Sequence, residues 1–428
     1  MMKMIYLIIM LCPLPFASAR PVWGYLFAVL VSFASVLFIV FSKSAKNRNL
    51  PKIFYLPVAS VICLILMGAA QVFFGWSVAP EGTIRTSIYA LSYLTFFFLV
   101  FESVKDTLNL PGFFRIIGLT VTVYSIYGLV IYFSGNEKVL WFDKWTSLQG
   151  LTSTFVNRNN FAAYAGIGIN CLIAYSFWLL ETTSSKPIVS KTQLLDFLST
   201  HSTQAMVLTL SLMIVFTALL LTGSRAGIVS VIIAITYTGV RLYFLSRSRP
   251  GSQRNAASLN KILPVFLICL SAMFVLSGDL VLNRLNSGLV ENYRLEIYPL
   301  LINLIQSGPA YGTGLGSFSE VFAQYRTIDL HIFLLRAHND YLEILLTAGP
   351  FAGGIFIAFL LCFVMRLILS NPPTSSMRPF SIASTSILIQ LALHSSVDFP
   401  LQIPAIAITV SGVMGANALF WHNYLVSK

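Results

Sequence analysis

The residues able to do chemistry are few, because only 10% of the 428 residues are charged. Arg158 lies in STFVNRNNFAAY and Arg225 in LLLTGSRAGIVS, each at the start of an apolar run and beside natural helix caps, the asparagines and Ser224. A cation at a helix N-terminus opposes the macrodipole by roughly 0.3–1 kcal/mol. A bound anion would offset that cost, since backbone N–H groups and bidentate guanidinium donors acting on the same oxygens form a phosphate cradle. Headgroup snorkelling is the plainer alternative for both arginines. Arg294, in ENYRLEIY, follows Glu291 by three residues, where a local salt bridge competes with a ligand role. In LRAHNDYLEILLTAGP, Asp340 followed by Glu343 and an apolar run marks a helix start, which leaves His338 just outside the helix and facing water. His394 stands inside a span four residues before Asp398 and reads as half of a structural pair, while His201 and His422 fall in segments on the other side.

Other reaction classes lack their residues. YGTGLGSF at 311–318 has closely spaced glycines but no preceding strand and no Gly-Lys-Ser, so it reads as a tight turn and not a nucleotide-binding loop. There is no DxD pair, no HExxH and no Gly-x-Ser-x-Gly elbow. No metal site and no cofactor are expected; chemistry must come from arginine, histidine and backbone dipoles.

The elements that must position these residues are membrane helices. The chain is 57% hydrophobic from end to end, the composition of a polytopic α-helical membrane protein, and no period-two alternation suggests a barrel. Apolar windows mark about twelve spans, near 4–19, 21–41, 53–75, 86–101, 113–134, 160–180, 205–222, 226–245, 262–278, 342–369, 380–397 and 403–420. This divides the chain into N-terminal helices (1–134), central helices with arginine-bearing outer turns (135–278), an external loop (279–341) and C-terminal helices (342–428). The loop lies between helices 9 and 10, and its ENYRLEIYPLLINLIQ segment reads as an amphipathic helix kinked at Pro299, lying along the membrane surface. The formal charge of +12 is topological and no nucleic-acid footprint: with the amino terminus inside, most of the 27 basic residues fall in inner loops and most of the 15 acids outside. Residues 1–19 have the order of a signal peptide, yet Arg20 and Pro21 suit cleavage poorly, and a retained first helix is the favoured reading. The five cysteines sit in apolar spans without CxxC spacing and read as small core residues.

Taken together and in order, STFVNRNNFA, TGSRAG, an arginine near the start of a long external loop, GTGLGSF, AHNDYLEILLTAGPFAG and HSSVDFPLQIPA resemble the O-antigen ligase and O-antigen polymerase (Wzy-like) superfamily of bacterial inner-membrane glycosyltransferases, over roughly residues 150–420. The resemblance implies a C-type glycosyltransferase-like helical fold and a metal-independent, inverting transfer from an undecaprenyl diphosphate-linked glycan at the periplasmic face. It implies that Arg225 and Arg294 hold the diphosphate and that His338 activates the acceptor hydroxyl, with Arg158, Arg336, Asn339 and Tyr341 contacting diphosphate or acceptor. The implied acceptor is a glycan or lipid A-core, and the implied surroundings are membrane lipids and other polysaccharide-assembly proteins. A flippase or exporter is the competing class, and would place ionisable residues deep within several spans and repeat symmetry between halves.

Overall fold

Apolar runs become helices here because a helix closes its own backbone hydrogen bonds where no water can. The computed structural model describes residues 1–41, 49–104, 109–135, 138–144, 146–148, 150–183, 202–247, 293–325, 334–372 and 376–426. Its helices are α1 (Met2–Leu11), α2 (Pro21–Phe41), α3 (Tyr55–Phe73), α4 (Pro80–Ser103), α5 (Asn109–Phe133), α6 (Arg158–Thr183), α7 (Ser202–Leu221), α8 (Arg225–Arg247), α9 (Tyr293–Ser307), α10 (Phe318–Tyr325), α11 (Asp340–Ala348), α12 (Pro350–Leu369), α13 (Arg378–His394) and α14 (Pro404–Val426). Nine of the described helices are long and apolar enough to cross a membrane. The only described strands are two-residue partners at Lys138–Val139 and Phe142–Asp143. The chain is an all-α polytopic membrane protein.

Two expected spans differ, and a third cannot be compared. The first, 4–19, shrinks to the ten residues of α1, because Pro13 and Pro15 cannot continue a helix. The chain turns through left-handed backbone at Phe16, Ala17 and Ser18, tied by a hydrogen bond from Ser18 Oγ to Cys12 O (2.6 Å). The run 342–369 breaks at Gly349, whose φ of +88° suits glycine, and Pro350 opens α12. The expected span at 262–278 lies outside the described residues.

The chain divides into two compact units. The first comprises residues 1–105, 288–371 and 391–428. Here α14 runs along α4, and Gly415 lets the Phe97 carbonyl reach its backbone. Phe54 joins this layer to α12 through an edge-on contact with Phe363 (5.1 Å). At one end, buried Gln71 anchors the glycine-rich turn: its amide donates to Tyr311 O (2.7 Å) and Thr347 O (2.8 Å) and accepts from Leu315 N (2.9 Å). Gly312, Gly314 and Gly316 all have positive φ, so GTGLG is the tight turn its composition suggests. Beside it, Ile297 and Leu301 of α9, Phe318, Val321 and Phe322 of α10, Leu334, Ala337 and Leu346 form a separate small core. That core supports the segment carrying His338.

The second unit comprises residues 106–287 and 372–390. Glycines set its close approaches: Gly118 meets Leu172 and Gly168 meets Val121 between α5 and α6, and Gly166 and Gly227 join α6 to α8, the small-residue packing of membrane helices. A buried polar network crosses it. Asn170 Nδ2 donates to Gly166 O (2.9 Å), Asn170 Oδ1 accepts from Ser386 Oγ (2.8 Å), and Gln390 Nε2 donates to Ala163 O (2.8 Å). Here neutral side chains bond to one another and to backbone, which is interhelical glue.

Candidate functional site

The histidine segment is built from its cap. Asn339, in extended backbone, accepts from Tyr341 N and Leu342 N (3.0 Å each) and so caps α11, as Ser, Thr, Asp and Asn do at helix starts. Asn339 Nδ2 also donates to Ser396 O (2.8 Å), and the Tyr341 hydroxyl donates to Ala392 O (2.7 Å). Asp340 is the strongest tie to the turn after α13: its carboxylate accepts from Ser395 Oγ (2.8 Å), Gln402 Nε2 (2.9 Å) and Leu401 N (3.3 Å). Burial pushes its pKa up to about 7 despite those hydrogen bonds, which favour the ionised form.

These ties bring Asp398 to His338. The two stand 3.5 Å apart, Nδ1 to Oδ1, a spacing longer than an ordinary hydrogen bond of about 2.7–3.2 Å. Asp398 Oδ1 also accepts from Phe399 N (2.9 Å), and the Phe399 ring packs edge-on against the imidazole (4.9 Å). The Tyr298 hydroxyl donates to His338 O (2.8 Å). His338 itself holds φ at +51°, a region costly for a residue with a Cβ. Its side chain is only 16% exposed; the sequence expectation of a water-facing histidine gives way because Phe399 and Asp398 cover the ring.

Two residues earlier, Arg336 pairs with buried Glu343 (3.1 Å), whose other oxygen accepts from Ala337 N (2.8 Å). Arg294 lies in α9 one turn before Tyr298; its side chain, and Glu291, lie outside the described residues.

In the second unit, the two other arginines open helices as their flanking residues suggest. Asn157 Oδ1 accepts from Asn159 N (2.7 Å) ahead of Arg158. Ser224 Oγ accepts from Gly227 N (3.2 Å), capping α8 at Arg225, and Gly223 before it has φ of +61°. A Cβ on Gly227 would lie 2.6 Å from that of Ala162, and Gly166 faces Val231 one turn further on. The helices therefore run parallel with their starts level. The Arg158 stem packs over Gly150 beside the Thr222 carbonyl. Arg225 is exposed and has no ion pair among the described residues. Two adjacent N-termini, each carrying a guanidinium, add dipole and charge of one sign, an arrangement suited to anionic oxygen.

The sequence did not bring Asp398 to His338. Its place in HSSVDFP suggested His394 as partner, and only the turn through Ser395–Gln402 shows the contact with His338. Gln71 and Tyr298 gave no signal at all, because each acts across distant segments.

Helices of this length and apolarity define a polytopic membrane protein. Residues 210–357 match the family described as O-Antigen ligase, a likeness confined to that stretch. The match takes in Arg225, Arg294, Arg336, His338, Asn339 and Tyr341; Arg158 and Asp398 lie outside it. No curated protein matches the chain.

Proposed function

We propose that the protein is a metal-independent, inverting glycosyltransferase that moves an undecaprenyl diphosphate-linked glycan to a saccharide hydroxyl at the periplasmic face of the bacterial inner membrane. The observation carrying this reading is the restraint on His338: backbone φ of +51°, Asp398 at 3.5 Å from Nδ1, and Tyr298 on its carbonyl. With Nδ1 facing a carboxylate, Nε2 is the nitrogen that takes the acceptor proton, and Asp398 stabilises the imidazolium that forms. The acceptor oxygen bonds to the sugar's anomeric carbon from the face opposite the diphosphate. The anomeric carbon–oxygen bond to phosphate breaks, and undecaprenyl diphosphate leaves with the electron pair. Arg225 and Arg294, with Arg158, neutralise that charge. Asn339 and Tyr341 act by position, since their polar groups hold the segment. A lipid A-core or a growing glycan can serve as acceptor.

The test is transfer by the purified full-length protein in detergent, with an undecaprenyl diphosphate oligosaccharide as donor. His338→Ala should lose about 10²–10⁴-fold in rate, and Arg225→Ala about 10²–10³-fold, with unfolding midpoints unchanged. Full transfer by His338→Ala would overturn the assignment. Inhibition by EDTA that a divalent ion reverses would overturn the metal-free mechanism.

A further inference from the structure

Lys144 takes no part in the mechanism above. It lies in the segment between α5 and α6, which is pinned at several points within the second unit. Leu140 N donates to the Tyr127 hydroxyl (3.2 Å), Ser153 Oγ to Tyr124 O (2.6 Å) and Leu151 N to Leu221 O (3.0 Å). Leu140, Ser147 and Ser153 all hold positive φ, a backbone that residues with a Cβ keep only where their surroundings impose it. The path of the segment is therefore set, and it brings Lys144 Nζ to 3.5 Å from Gly150 O.

Gly150 is where cations gather. A Cβ there would lie 2.9 Å from Arg158 Cδ and 2.9 Å from Thr222 O, so the arginine stem and the turn between α7 and α8 close on a residue without a side chain. Ser147 Oγ accepts from Arg158 N (3.4 Å), a second link between the segment and the start of α6. Because both side chains meet the same residue, Lys144 Nζ and Arg158 Cδ stand at most about 10 Å apart. Arg225 follows Thr222 by three residues, at the start of α8. Three cations from three segments thus converge on one turn. Asp143, the acid next to Lys144 in the chain, lies 3.9 Å from Lys138 and is exposed. The segment also joins two helices fit to cross a membrane, and its Trp141 and Leu148 are 66% and 52% exposed. Exposed apolar side chains at the end of a span, tryptophan above all, suit the bilayer interface.

We propose that Lys144 is a lipid-diphosphate-binding residue, acting with Arg158 at Gly150, in a segment that dips Trp141 and Leu148 into the bilayer surface from which the lipid arrives. Charge decides between the phosphates a membrane offers. An ordinary phospholipid headgroup brings a single phosphodiester charge to these cations, whereas a diphosphate brings two adjacent charged groups. Arg158 can take one group through its planar fork and Lys144 the other as a point charge, both in charge-assisted hydrogen bonds. That this lipid is the donor of a glycan rests on the transferase reading given above. Its binding does not.

Equilibrium binding to the full-length protein in phosphatidylcholine nanodiscs tests the site without requiring transfer. The probes are undecaprenyl diphosphate and undecaprenyl monophosphate. Wild type should bind the diphosphate about tenfold or more tightly, the effect of one charged hydrogen bond. Lys144→Gln should erase that preference and Lys144→Arg should keep it. Lys138→Gln, which removes a charge of the same segment away from Gly150, should also keep it. Lys144→Met should behave as Lys144→Gln, so that the result does not hang on the folding of one variant, and unfolding midpoints are measured for all. Equal or undetectable binding of the two probes by wild type would overturn the proposal, as would a preference that survives Lys144→Gln. Equal losses in Lys144→Gln and Lys138→Gln would reduce the effect to bulk charge and reject the site. Phosphatidylglycerol mixed into the nanodisc should not displace the diphosphate; displacement in wild type that Lys144→Gln lacks would assign Lys144 to an ordinary headgroup and reject it equally. If diphosphate binding follows Lys144 while the transfer assay fails for every donor, the site stands and the enzymatic reading falls. If transfer proceeds while binding ignores Lys144, the enzymatic reading stands and this site falls.

Discussion

Asp340 shows how one side chain can carry both order and pH sensitivity. Its carboxylate gathers three donors from the turn that brings Asp398 to His338, yet burial lifts its pKa from 3.8 to about 7. A carboxyl with a raised folded-state pKa holds its proton longer in the native protein than in the unfolded chain. Its titration therefore removes stability as pH rises from the ordinary value of 3.8 through about 7, with no further change above. The Asp340→Asn variant should lack this component. Thermal unfolding in detergent should show wild type losing stability across that window relative to the variant, and parallel curves would remove Asp340 as their source. The aspartate was legible as a helix-start residue from its spacing to Glu343. Its ties to Ser395 and Gln402 were not, because they join segments separated by two membrane helices.

At the level of elements, the glycine-rich turn is the sharpest constraint. Gly314 combines φ of +111° with the hydroxyls of Ser77 and Thr83 where a Cβ would stand, whereas Gly75 has φ of +68° and open space around it. Alanine at either position strains the backbone, by about 1–2 kcal/mol for ordinary left-handed geometry. Only at Gly314 must neighbours also move. Gly314→Ala should thus lower the unfolding midpoint well beyond Gly75→Ala; equal effects would mean that Ser77 and Thr83 yield freely. The turn itself could be read from YGTGLGSF, as could the caps at Ser224 and before Arg158, because turns and caps are local chemistry. The break at Gly349-Pro350 was equally local, but the apolar run masked it. Gln71, which fixes the turn to α3 and α11, was invisible because a buried glutamine in an apolar window signals only that it has partners.

Over the whole molecule, hydropathy gave the polytopic architecture because each span satisfies its own backbone. It overestimated α1, where prolines stop the helix before the apolar run ends. The loop charges make a separate prediction about orientation: with basic loops inside, cysteines introduced at 225 and at 338 should react with a membrane-impermeant maleimide added from the periplasm. Protection of both until the cytoplasmic side is opened would reverse the assigned topology. Helix packing could not be read so directly. That α6 and α8 start level follows from Gly166 and Gly227 meeting Val231 and Ala162, and neither glycine announces its partner.

The turn at Ser395–Gln402 also imposes an order on biosynthesis. The ribosome makes it after His338 has emerged, so the imidazole lacks its aspartate until the closing pair of helices has entered the bilayer. A chain stalled before that moment carries the histidine with Tyr298 on its carbonyl but without the carboxylate beside its ring.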